Sequence, residues 1–352
     1  MRAVVIGAGL IAKQHLAALQ KCRNVEVVGV CDLSPAKAEA ASERFGVSGW
    51  FTDHREMLAQ TRPDVAHVTT PARTHCRIGT DCLRSGANVL IEKPIATDET
   101  ELEQILDEAE EAGRWVIEDY NYLFNDDVQA MRRLAASGRM GELRRVEVRL
   151  HLGVFGPGSP YLDADAPHPA TGEPLGAVSD FITHMAYLAH AFAGRGVADG
   201  VSCRRRNDSS PSIDSLVATI DGEACVATLA FDAYAQPDEF RLRVHGSRLV
   251  VDANLFEKGL TVTECGESPN PLSPIRGSLS RGAQEVRNAG RSLSRKLSGG
   301  PGAYEGLWRL IAGAYESLEA GKAPPISPSH IRSVNRLVAE LSQAGGEVCV
   351  SS

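Results

Sequence analysis

The sequence predicts an α/β protein of two domains, an N-terminal doubly wound parallel sheet and a C-terminal α+β domain with an open, mostly antiparallel sheet. The chain has 352 residues, more than one ordinary hydrophobic core requires. In its first third, short apolar strands alternate with amphipathic helices, as in parallel sheets covered on both faces. After residue 120, strands with one polar face follow one another across short turns, which favours antiparallel pairing.

The first domain is expected to span residues 1–120. Its strands are predicted at residues 4–6, 25–30, 64–68, 88–91 and 116–117. Its helices are predicted at residues 10–21, 35–45 and 73–85, with another from about residue 97. In that last helix Leu102, Ile105 and Ala109 recur at helical spacing and form one apolar face.

The second domain is expected to span residues 121–352. Its strands are predicted near residues 145–151, 197–206, 214–221, 224–232, 240–245 and 248–253, and its helices at 174–192, 303–320 and 328–344. The turns Asp221-Gly222 and Gly246-Ser247 indicate hairpins. Two stretches rich in Gly, Pro and Ser, residues 153–175 and 266–301, are predicted to be long loops.

The composition excludes several classes of protein. Hydrophobic residues make up 43% and charged residues 23% of the chain, as in globular proteins. A net charge of −8 disfavours a nucleic-acid partner, because neutralising phosphates requires a basic surface. The eight cysteines form no Cys-x-x-Cys pair, so we expect reduced thiols and no metal site.

The beginning of the chain and its hydropathy bear on location. A strand is predicted directly after the first residues, and no apolar run reaches the roughly 18 residues of a membrane helix. We therefore expect no secretory signal and no membrane span, and a cytoplasmic protein.

The segment Gly7-Ala8-Gly9-Leu10-Ile11-Ala12 joins the first strand to the first helix. In this strand–helix–strand setting, a Gly-x-Gly-x-x-Gly/Ala sequence predicts dinucleotide binding. Gly7 permits the tight turn, Gly9 lets the backbone approach a pyrophosphate, and Ala12 allows close helix–strand packing. The helix N-terminus offers N–H groups and a partial positive charge to the phosphates.

Asp32 ends the second strand, at the position where a carboxylate accepts hydrogen bonds from the adenosine ribose hydroxyls. The same carboxylate would repel a 2′-phosphate. The sequence therefore favours NAD over NADP as the cofactor.

Three further motifs accompany the glycine turn. The turn continues to His15, Thr70-Pro71 is followed by His75, and the strand at 88–91 ends in Glu92-Lys93-Pro94. Together they resemble the glucose–fructose oxidoreductase, inositol dehydrogenase and rhizopine catabolism (Gfo/Idh/MocA) family, over essentially the whole chain. This resemblance implies a Rossmann domain followed by a substrate-binding and oligomerisation domain. The cofactor-binding residues that we assign are Gly7, Ala8, Gly9, Leu10, Ile11, Asp32, Thr70, Pro71, His75, Glu92, Lys93 and Asn121.

In that family the Glu-Lys-Pro motif carries the catalytic lysine, which corresponds to Lys93. At the carboxyl end of a strand and beside the nicotinamide, a lysine is well placed to share a proton with a substrate hydroxyl. The proline after it excludes a helical conformation at Lys93 and stiffens the turn.

The helix predicted at 174–192 carries the other expected catalytic groups. Asp180, His184 and Tyr187 share one face, and a different face forms the predicted buried stripe of Val178, Ile182, Met185, Ala189 and Phe192. The family has an Asp-x-x-x-His pair here, which implies that His184 exchanges the hydroxyl proton and that Asp180 orients it or contacts the substrate. The substrate-binding residues that we assign are Lys93, Tyr122, Asp180, His184 and Tyr187. Ile182, Tyr187 and Leu123 depart from residues common in the family (Gly, Asp and Arg), which leaves the substrate more open than the cofactor.

The resemblance implies hydride transfer between NAD and a secondary alcohol or ketone of a sugar, sugar nucleotide or cyclitol. The expected partner is a small carbohydrate, free, phosphorylated or nucleotide-linked, and the expected assembly is a homodimer or homotetramer. Two alternatives stay open. One is an enzyme that keeps NAD tightly bound and oxidises its substrate transiently, during glycoside cleavage or sugar-to-sugar hydride exchange. The other is a non-catalytic NAD-binding sensor.

Residues 276–298 form a basic segment in an acidic chain. On a helical wheel, Leu279, Val286 and Leu293 form an apolar stripe that most of the basic residues avoid. The simpler interpretation is a solvated helix that packs this stripe on the sheet. The alternative is an anion contact, either with the diphosphate of a nucleotide-linked sugar or, peripherally, with an anionic membrane surface.

Overall fold

The computed structural model of the chain describes residues 1–156, 159–162, 170, 175–205, 213–265, 273–297 and 302–350. The chain divides into two compact units. One comprises Met1–Phe124 and Tyr304–Asn335, and the other comprises Asn125–Ala303 and Arg336–Ser352. The return of residues 304–335 to the first unit differs from the division at residue 120 that the sequence suggested.

The first unit contains a six-stranded parallel sheet of order β3-β2-β1-β4-β5-β6. Its strands are β1 (Arg2–Ile6), β2 (Glu26–Cys31), β3 (Trp50–Phe51), β4 (Val65–Val68), β5 (Asn88–Ile91) and β6 (Val116–Glu118). The helices between them are α1 (Leu10–Leu19), α2 (Pro35–Phe45), α3 (His54–Thr61), α4 (His75–Arg84) and α5 (Glu99–Glu111).

The order of the strands reverses between β1 and β4. From β1 the chain moves outward through β2 to β3, and it then returns to β4 and moves outward on the other side to β6. Doubly wound sheets bind ligands at the carboxyl ends of the strands beside such a reversal. The predicted fold class is confirmed for this unit, and β1 is an apolar central strand in which Ala3, Val4 and Val5 are fully buried.

The sequence pattern did not predict β3 or α3. β3 has two residues, which is too short for a periodic signal. α3 has eight residues, and its start depends on Asp53, whose side chain accepts hydrogen bonds from the backbone N–H groups of Arg55 and Glu56.

The second unit contains a seven-stranded sheet of order β13-β12-β11-β7-β10-β9-β8. Its strands are β7 (Leu143–His151), β8 (Gly196–Arg204), β9 (Ser215–Gly222), β10 (Val226–Asp232), β11 (Glu239–Gly246), β12 (Leu249–Asn254) and β13 (Leu260–Glu264). Only the β7–β10 pair among these described strands is parallel, so the mostly antiparallel sheet is confirmed. β13 and helix α6 (Asp126–Ala136) were not predicted.

Helix α7 (Ser179–Ala193) packs against β7 and β10. The sequence predicted its start at residue 174, but a 3-10 turn occupies Gly176–Val178 and residues 171–174 lie outside the described residues. The predicted apolar stripe is buried, from Val178 to Phe192. Of the loop predicted at 153–175, the described part includes a 3-10 turn at Pro160–Leu162.

The long loop predicted at 266–301 is wrong for most of its length. Helix α8 occupies Ser273–Leu297, while residues 266–272 and 298–301 lie outside the described residues. Its Gly and Ser content disfavours an isolated helix, but hydrogen bonds to β13 stabilise it. The prediction that its Leu/Val stripe packs on the sheet is also wrong, because Leu279, Val286 and Leu293 are exposed.

The two predicted C-terminal helices are present as α9 (Glu305–Glu319) and α10 (Pro328–Val350). α9 packs on α1 in the first unit. The division between the two units falls within α10, after Asn335.

Among the residues that the structure describes, no helix combines the length and the hydropathy that a membrane span requires.

The start of α5 gives a test of the local fold. Asp98 caps the helix by accepting a hydrogen bond from the Glu101 N–H at 2.9 Å, and the Glu101 side chain accepts from the Thr97 N–H at 3.0 Å. We expect Asp98→Ala to lower the free energy of unfolding, measured by urea denaturation, by about 1 kcal/mol. Glu110→Ala, on the exposed side of the same helix, should change it by less than about 0.5 kcal/mol. Equal effects of the two substitutions would contradict the capping role.

Candidate active site

The glycine turn lies at the carboxyl end of β1 and packs against the end of β4. Gly7 has φ of 99°, and its N–H donates to the Cys31 carbonyl at 2.7 Å. A Cβ on Gly7 would lie 2.8 Å from the carbonyl carbon and oxygen of Thr69, so only glycine fits. Gly9, by contrast, has no atom within 4 Å of an added Cβ. The turn is thus closed towards the protein at Gly7 and open at Gly9, where α1 begins without a side-chain cap.

Asp32 lies at the carboxyl end of β2, beside the glycine turn. Its carboxylate accepts hydrogen bonds from the backbone N–H groups of Ala8 at 2.8 Å and Ser34 at 2.9 Å. Each carboxylate oxygen keeps further acceptor capacity for hydroxyl groups. Leu33 and Leu10 on either side of this region are 91% and 84% exposed. The residues assigned to the cofactor from the sequence include Leu10 but not Leu33.

The end of β4 is fixed to its neighbours by hydrogen bonds. The Thr69 hydroxyl donates to the Gly7 carbonyl at 2.8 Å, and the Thr74 hydroxyl donates to the Thr70 hydroxyl at 2.8 Å. The ring of buried His75 lies between the Thr70 carbonyl (2.7 Å) and the Pro94 carbonyl (2.9 Å). Burial lowers the pKa of His75, so the neutral ring donates to one of these carbonyls at a time. His75 therefore connects the Thr-Pro motif to the Glu-Lys-Pro motif.

A continuous hydrogen-bonded chain runs inward from Glu92. His15 Nε2 lies 2.9 Å from Glu92 Oε1, and His15 Nδ1 lies 2.9 Å from His67 Nδ1. His67 Nε2 lies 3.0 Å from the hydroxyl of Tyr315 on α9. All four residues are buried. Burial, together with the nearby His15, lowers the pKa of His67 well below its usual value, so this ring is neutral.

Glu92 and Asp119 form a carboxyl pair joined by a hydrogen bond, which requires a proton between them. Burial opposes ionisation of Glu92, but the hydrogen bond from His15 and the charge of Lys93 lower its pKa below the usual value. Burial and the charge of Glu92 raise the pKa of Asp119 well above its usual value. Glu92 is therefore the carboxylate and Asp119 the protonated acid.

His15, Glu92 and Asp119 have potential ligand atoms within 4.8 Å of one another. Both His15 nitrogens are already engaged by Glu92 and His67, however. We therefore interpret the cluster as a network that shares protons rather than as a metal centre. In the sequence, His15 is recognisable only as part of a motif, and His67 and Asp119 carry no functional signal, because a chain of contacts between distant residues leaves no local pattern.

Lys93 follows Glu92 at the end of β5 and is half-buried. The charge of Lys93 lowers the pKa of Glu92 and limits the rise in the pKa values of Glu118 and Asp119. Lys93 therefore interacts electrostatically with three carboxyl groups. Burial raises the pKa of Glu118 to about 7, although Tyr120, Asn335 and the Ile95 N–H donate hydrogen bonds to it. Lys93 thus places a positive charge among these carboxyl groups.

Asn121 and Tyr122 lie just after β6, in a 3-10 turn. The Asn121 side chain accepts from the Tyr122 N–H at 2.8 Å. Burial raises the pKa of Tyr122 to about 12, which keeps the phenol protonated. These two residues therefore lie on the same carboxyl edge of the sheet as Gly7, Asp32, Thr70 and Lys93.

The predicted substrate residues of the second unit lie together on α7. The Tyr161 hydroxyl donates to Asp180, and His184 Nδ1 lies 2.9 Å from the Tyr187 hydroxyl, with their rings edge-on. Tyr187 is fully buried and His184 nearly so, whereas Asp180 is half-buried. Tyr161 was not predicted; it lies in the segment that was predicted to be a long loop. Lys93 belongs to the other unit.

The contrast between the two glycines gives a prediction about stability. We expect Gly7→Ala to lower the free energy of unfolding by at least about 2 kcal/mol, because a Cβ would combine positive φ with a clash against Thr69. The control Gly9→Ala should lower it by less than about 1 kcal/mol, since its added Cβ meets nothing. Thermal or urea unfolding measures both, and equal losses would contradict the described turn.

The carboxyl pair gives a prediction about pH. The raised pKa of Asp119 means that its stabilising contribution is complete below its unfolded pKa of about 4 and is lost as pH rises towards its folded pKa. An asparagine at this position stays neutral at every pH, and its amide can still donate to Glu92. We therefore compare the free energy of unfolding of Asp119→Asn with that of the wild type at each pH. The difference, variant minus wild type, should be more positive at pH 8 than at pH 5.

Urea unfolding at the two pH values makes this measurement. Glu111→Gln, which changes an exposed carboxylate on α5, is the control and should shift the two values equally. A difference for Asp119→Asn that does not depend on pH would show that Asp119 is not held as a buried neutral acid.

Comparisons with known proteins relate the first part of the chain to a family of oxidoreductases. Residues 1–120 match the Gfo/Idh/MocA family model, described as an oxidoreductase family with an NAD-binding Rossmann fold. The chain is 26% identical over 236 residues to D-apiose dehydrogenase of Paraburkholderia graminis, an alignment that covers 66% of this chain and 60% of that enzyme. It is 29% identical over 116 residues to an inositol 2-dehydrogenase/D-chiro-inositol 3-dehydrogenase of Lactiplantibacillus plantarum, covering 32% and 33% of the two chains. The chain thus matches less than two thirds of the length of these curated relatives.

A solved structure supports the fold over almost the whole chain. It is the WlbA dehydrogenase from Bordetella pertussis in complex with NADH and UDP-GlcNAcA. The TM-score is 0.78 and the sequence identity 19%, with 99% of this chain and 96% of that chain covered. At this identity the likeness concerns the fold alone. Residues 1–120 therefore match the NAD-binding Rossmann domain of the Gfo/Idh/MocA oxidoreductase family, and the six-stranded parallel sheet of the first unit has the corresponding fold.

Proposed function

We propose that the protein is an NAD-dependent oxidoreductase that transfers a hydride between the nicotinamide and a secondary alcohol or ketone of a sugar, sugar nucleotide or cyclitol. The observation that carries the proposal is the convergence of the glycine turn, Asp32 and Lys93 on the carboxyl edge of one parallel sheet. Relatives named for apiose and inositol support this substrate class.

The residues of this edge fit NAD. The open space at Gly9 and the uncapped start of α1 suit a pyrophosphate, whose negative charge the helix N-terminus stabilises. The Asp32 carboxylate suits ribose hydroxyls and disfavours the 2′-phosphate of NADP. Thr70, Pro71, His75, Glu92 and Asn121 are the other residues that we assign to the cofactor. When bound, NAD supplies the hydride acceptor or donor.

Lys93 is the group that we propose to exchange the proton of the substrate hydroxyl. The Glu92 carboxylate beside it balances its ammonium charge, and protonated Asp119 next to Glu92 keeps the pair from carrying two negative charges. In the second unit, His184 is a second proton-exchanging group, held by Tyr187, and Asp180 is a hydrogen-bonding group held by Tyr161. Lys93, Tyr122, Asp180, His184 and Tyr187 are the proposed substrate contacts.

Location and assembly are further parts of the proposal. The seven cysteines whose state is described are free thiols, which supports a reducing compartment such as the cytoplasm. A homodimer or homotetramer is proposed by analogy with the family.

A substrate screen with matched variants tests the proposed reaction. NADH formation is followed with NAD and a panel of aldoses, inositols and UDP-sugars, and NAD binding is measured separately by fluorescence. We expect Lys93→Ala to lower kcat by about 10²- to 10⁴-fold, as loss of a general acid–base does, while the protein still binds NAD. The control Lys322→Ala, at an exposed lysine in the same unit, should leave kcat unchanged.

Three results would contradict the proposal. One is turnover by Lys93→Ala equal to that of the wild type. Another is NAD binding without turnover of any sugar, sugar nucleotide or cyclitol, as in a sensor. The third is conversion of a glycoside by protein that retains its NAD and releases no NADH, as in transient oxidation.

A further inference from the structure

Helix α8 packs on the second unit through polar side chains. The Gln284 amide both accepts from the Val262 N–H and donates to the Val262 carbonyl, each at 3.0 Å. One turn further along the helix, the Asn288 amide donates to the Leu260 carbonyl at 3.2 Å. After another turn, the Ser292 hydroxyl donates to the Lys258 carbonyl at 3.0 Å. Four helical residues rise about 6 Å and two strand residues about 6.6 Å, so every fourth helix residue meets every second residue along β13 and the extended segment before it.

The contact is built into the strand as well as into the helix. Gly259 has φ of 154°, and a Cβ there would lie 2.3 Å from the Asn288 side chain. Its N–H donates to Asp127 of α6 at 2.9 Å. The orientation of α8 about its own axis is therefore fixed by specific contacts.

Because the polar face is turned inward, the apolar face is turned outward. Ile275, Leu279, Val286 and Leu293 recur at intervals of four and seven residues and so share one side of the helix. Leu279 is 71%, Val286 76% and Leu293 61% exposed. Single exposed aliphatic residues are ordinary, but a row of them over the length of a helix marks a contact surface.

The charge of α8 is opposite to that of the whole protein. Residues 273–297 contain six basic residues and one acidic residue, Glu285, in a chain of net charge −8. Arg276, Arg287 and Arg291 are exposed; Arg276 and Arg287 lie beside the apolar row, and Arg291 lies further round the helix on the same side. Arginines in this position can extend along the apolar surface and place their guanidinium groups at its border.

We propose that α8 is a membrane-surface helix that lies in the interface of an anionic lipid bilayer. An exposed apolar row flanked by arginines, with low overall hydrophobicity, is the arrangement that such interfacial helices use. The charge complementarity is with anionic headgroups, which the cytoplasmic leaflet presents. Pairing of α8 with α8 of a second copy is disfavoured, because it would bring like charges together along the seam. The proposal is independent of the reaction proposed above.

Vesicle co-sedimentation of the full chain tests the proposal. We expect the protein to bind vesicles in which about a third of the lipid is phosphatidylglycerol, and to bind phosphatidylcholine vesicles far less. High salt should release it, since the interaction depends on surface charge. Equal binding to both vesicle types, or binding to neither, would overturn the proposal.

Two variants separate the apolar and electrostatic contributions. Replacing Leu279, Val286 and Leu293 by Gln should weaken binding at least about tenfold, because the inserted aliphatic groups are lost. Replacing Arg276, Arg287 and Arg291 by Gln should weaken it on the order of a hundredfold, since each arginine near an anionic surface contributes about fivefold. The control that replaces exposed Lys21, Arg23 and Arg44 of the first unit by Gln should bind as the wild type does.

Sedimentation velocity and substrate kinetics on the same variants test two other possible partners of α8, a second copy of the chain and the diphosphate of a nucleotide sugar. The proposal fails if the wild type is an oligomer that does not bind vesicles and the Leu/Val variant is dissociated. In that case the apolar face of α8 contacts another copy of the chain. The proposal also fails if the arginine variant raises KM for UDP-sugars but leaves vesicle binding unchanged, because the arginines then contact a diphosphate. Circular dichroism and unfolding should match the wild type, since all six substituted side chains are exposed.

Discussion

The buried Glu92 carboxylate is the constraint on which the site of the first unit depends. A carboxylate without water must be compensated by hydrogen bonds and opposite charge. Here His15 and Asp119 donate to it, and Lys93 supplies the positive charge. Because these partners come from α1, the end of β6 and the end of β5, satisfying one carboxylate fixes three elements relative to one another. The proposed catalytic lysine, Lys93, follows Glu92 directly in the sequence. The contacts that hold the Glu92 carboxylate therefore also fix the backbone position of Lys93.

His75 extends this constraint to β4. Its ring lies between the Thr70 and Pro94 carbonyls and so joins the strands on which two of the family motifs lie. Thr69 continues the connection to Gly7. The motifs that appear separate in the sequence are therefore successive parts of one hydrogen-bonded edge, in which the glycine turn, the Thr-Pro step and the Glu-Lys-Pro turn are positioned together.

Most of the fold could be predicted from the sequence because it depends on local patterns. The parallel strands are short apolar runs, the strands of the second unit alternate, and glycine and aspartate mark the cofactor edge. The failures have a common cause in tertiary contacts. α8 contains Gly282, Gly290 and many serines, so its intrinsic preference indicated a loop, and the amide contacts that stabilise it come from β13. The chain from His15 to Tyr315 joins residues that are distant in sequence, which no periodicity can reveal. Asp180 and His184 were assigned because they match an Asp-x-x-x-His pair of the family that the sequence resembles, whereas Tyr161 matches no motif.

The amide contacts of α8 have a consequence for the sheet itself. β13 is the terminal strand of its sheet, with β12 on one side, so its other side would expose backbone N–H and carbonyl groups. Such an edge is a template on which another chain can add a strand. Gln284 pairs with both backbone groups of Val262, and Asn288 and Ser292 occupy the carbonyls before it. A row of side chains therefore takes the place of a further strand, and growth of the sheet by strand addition is blocked at this end.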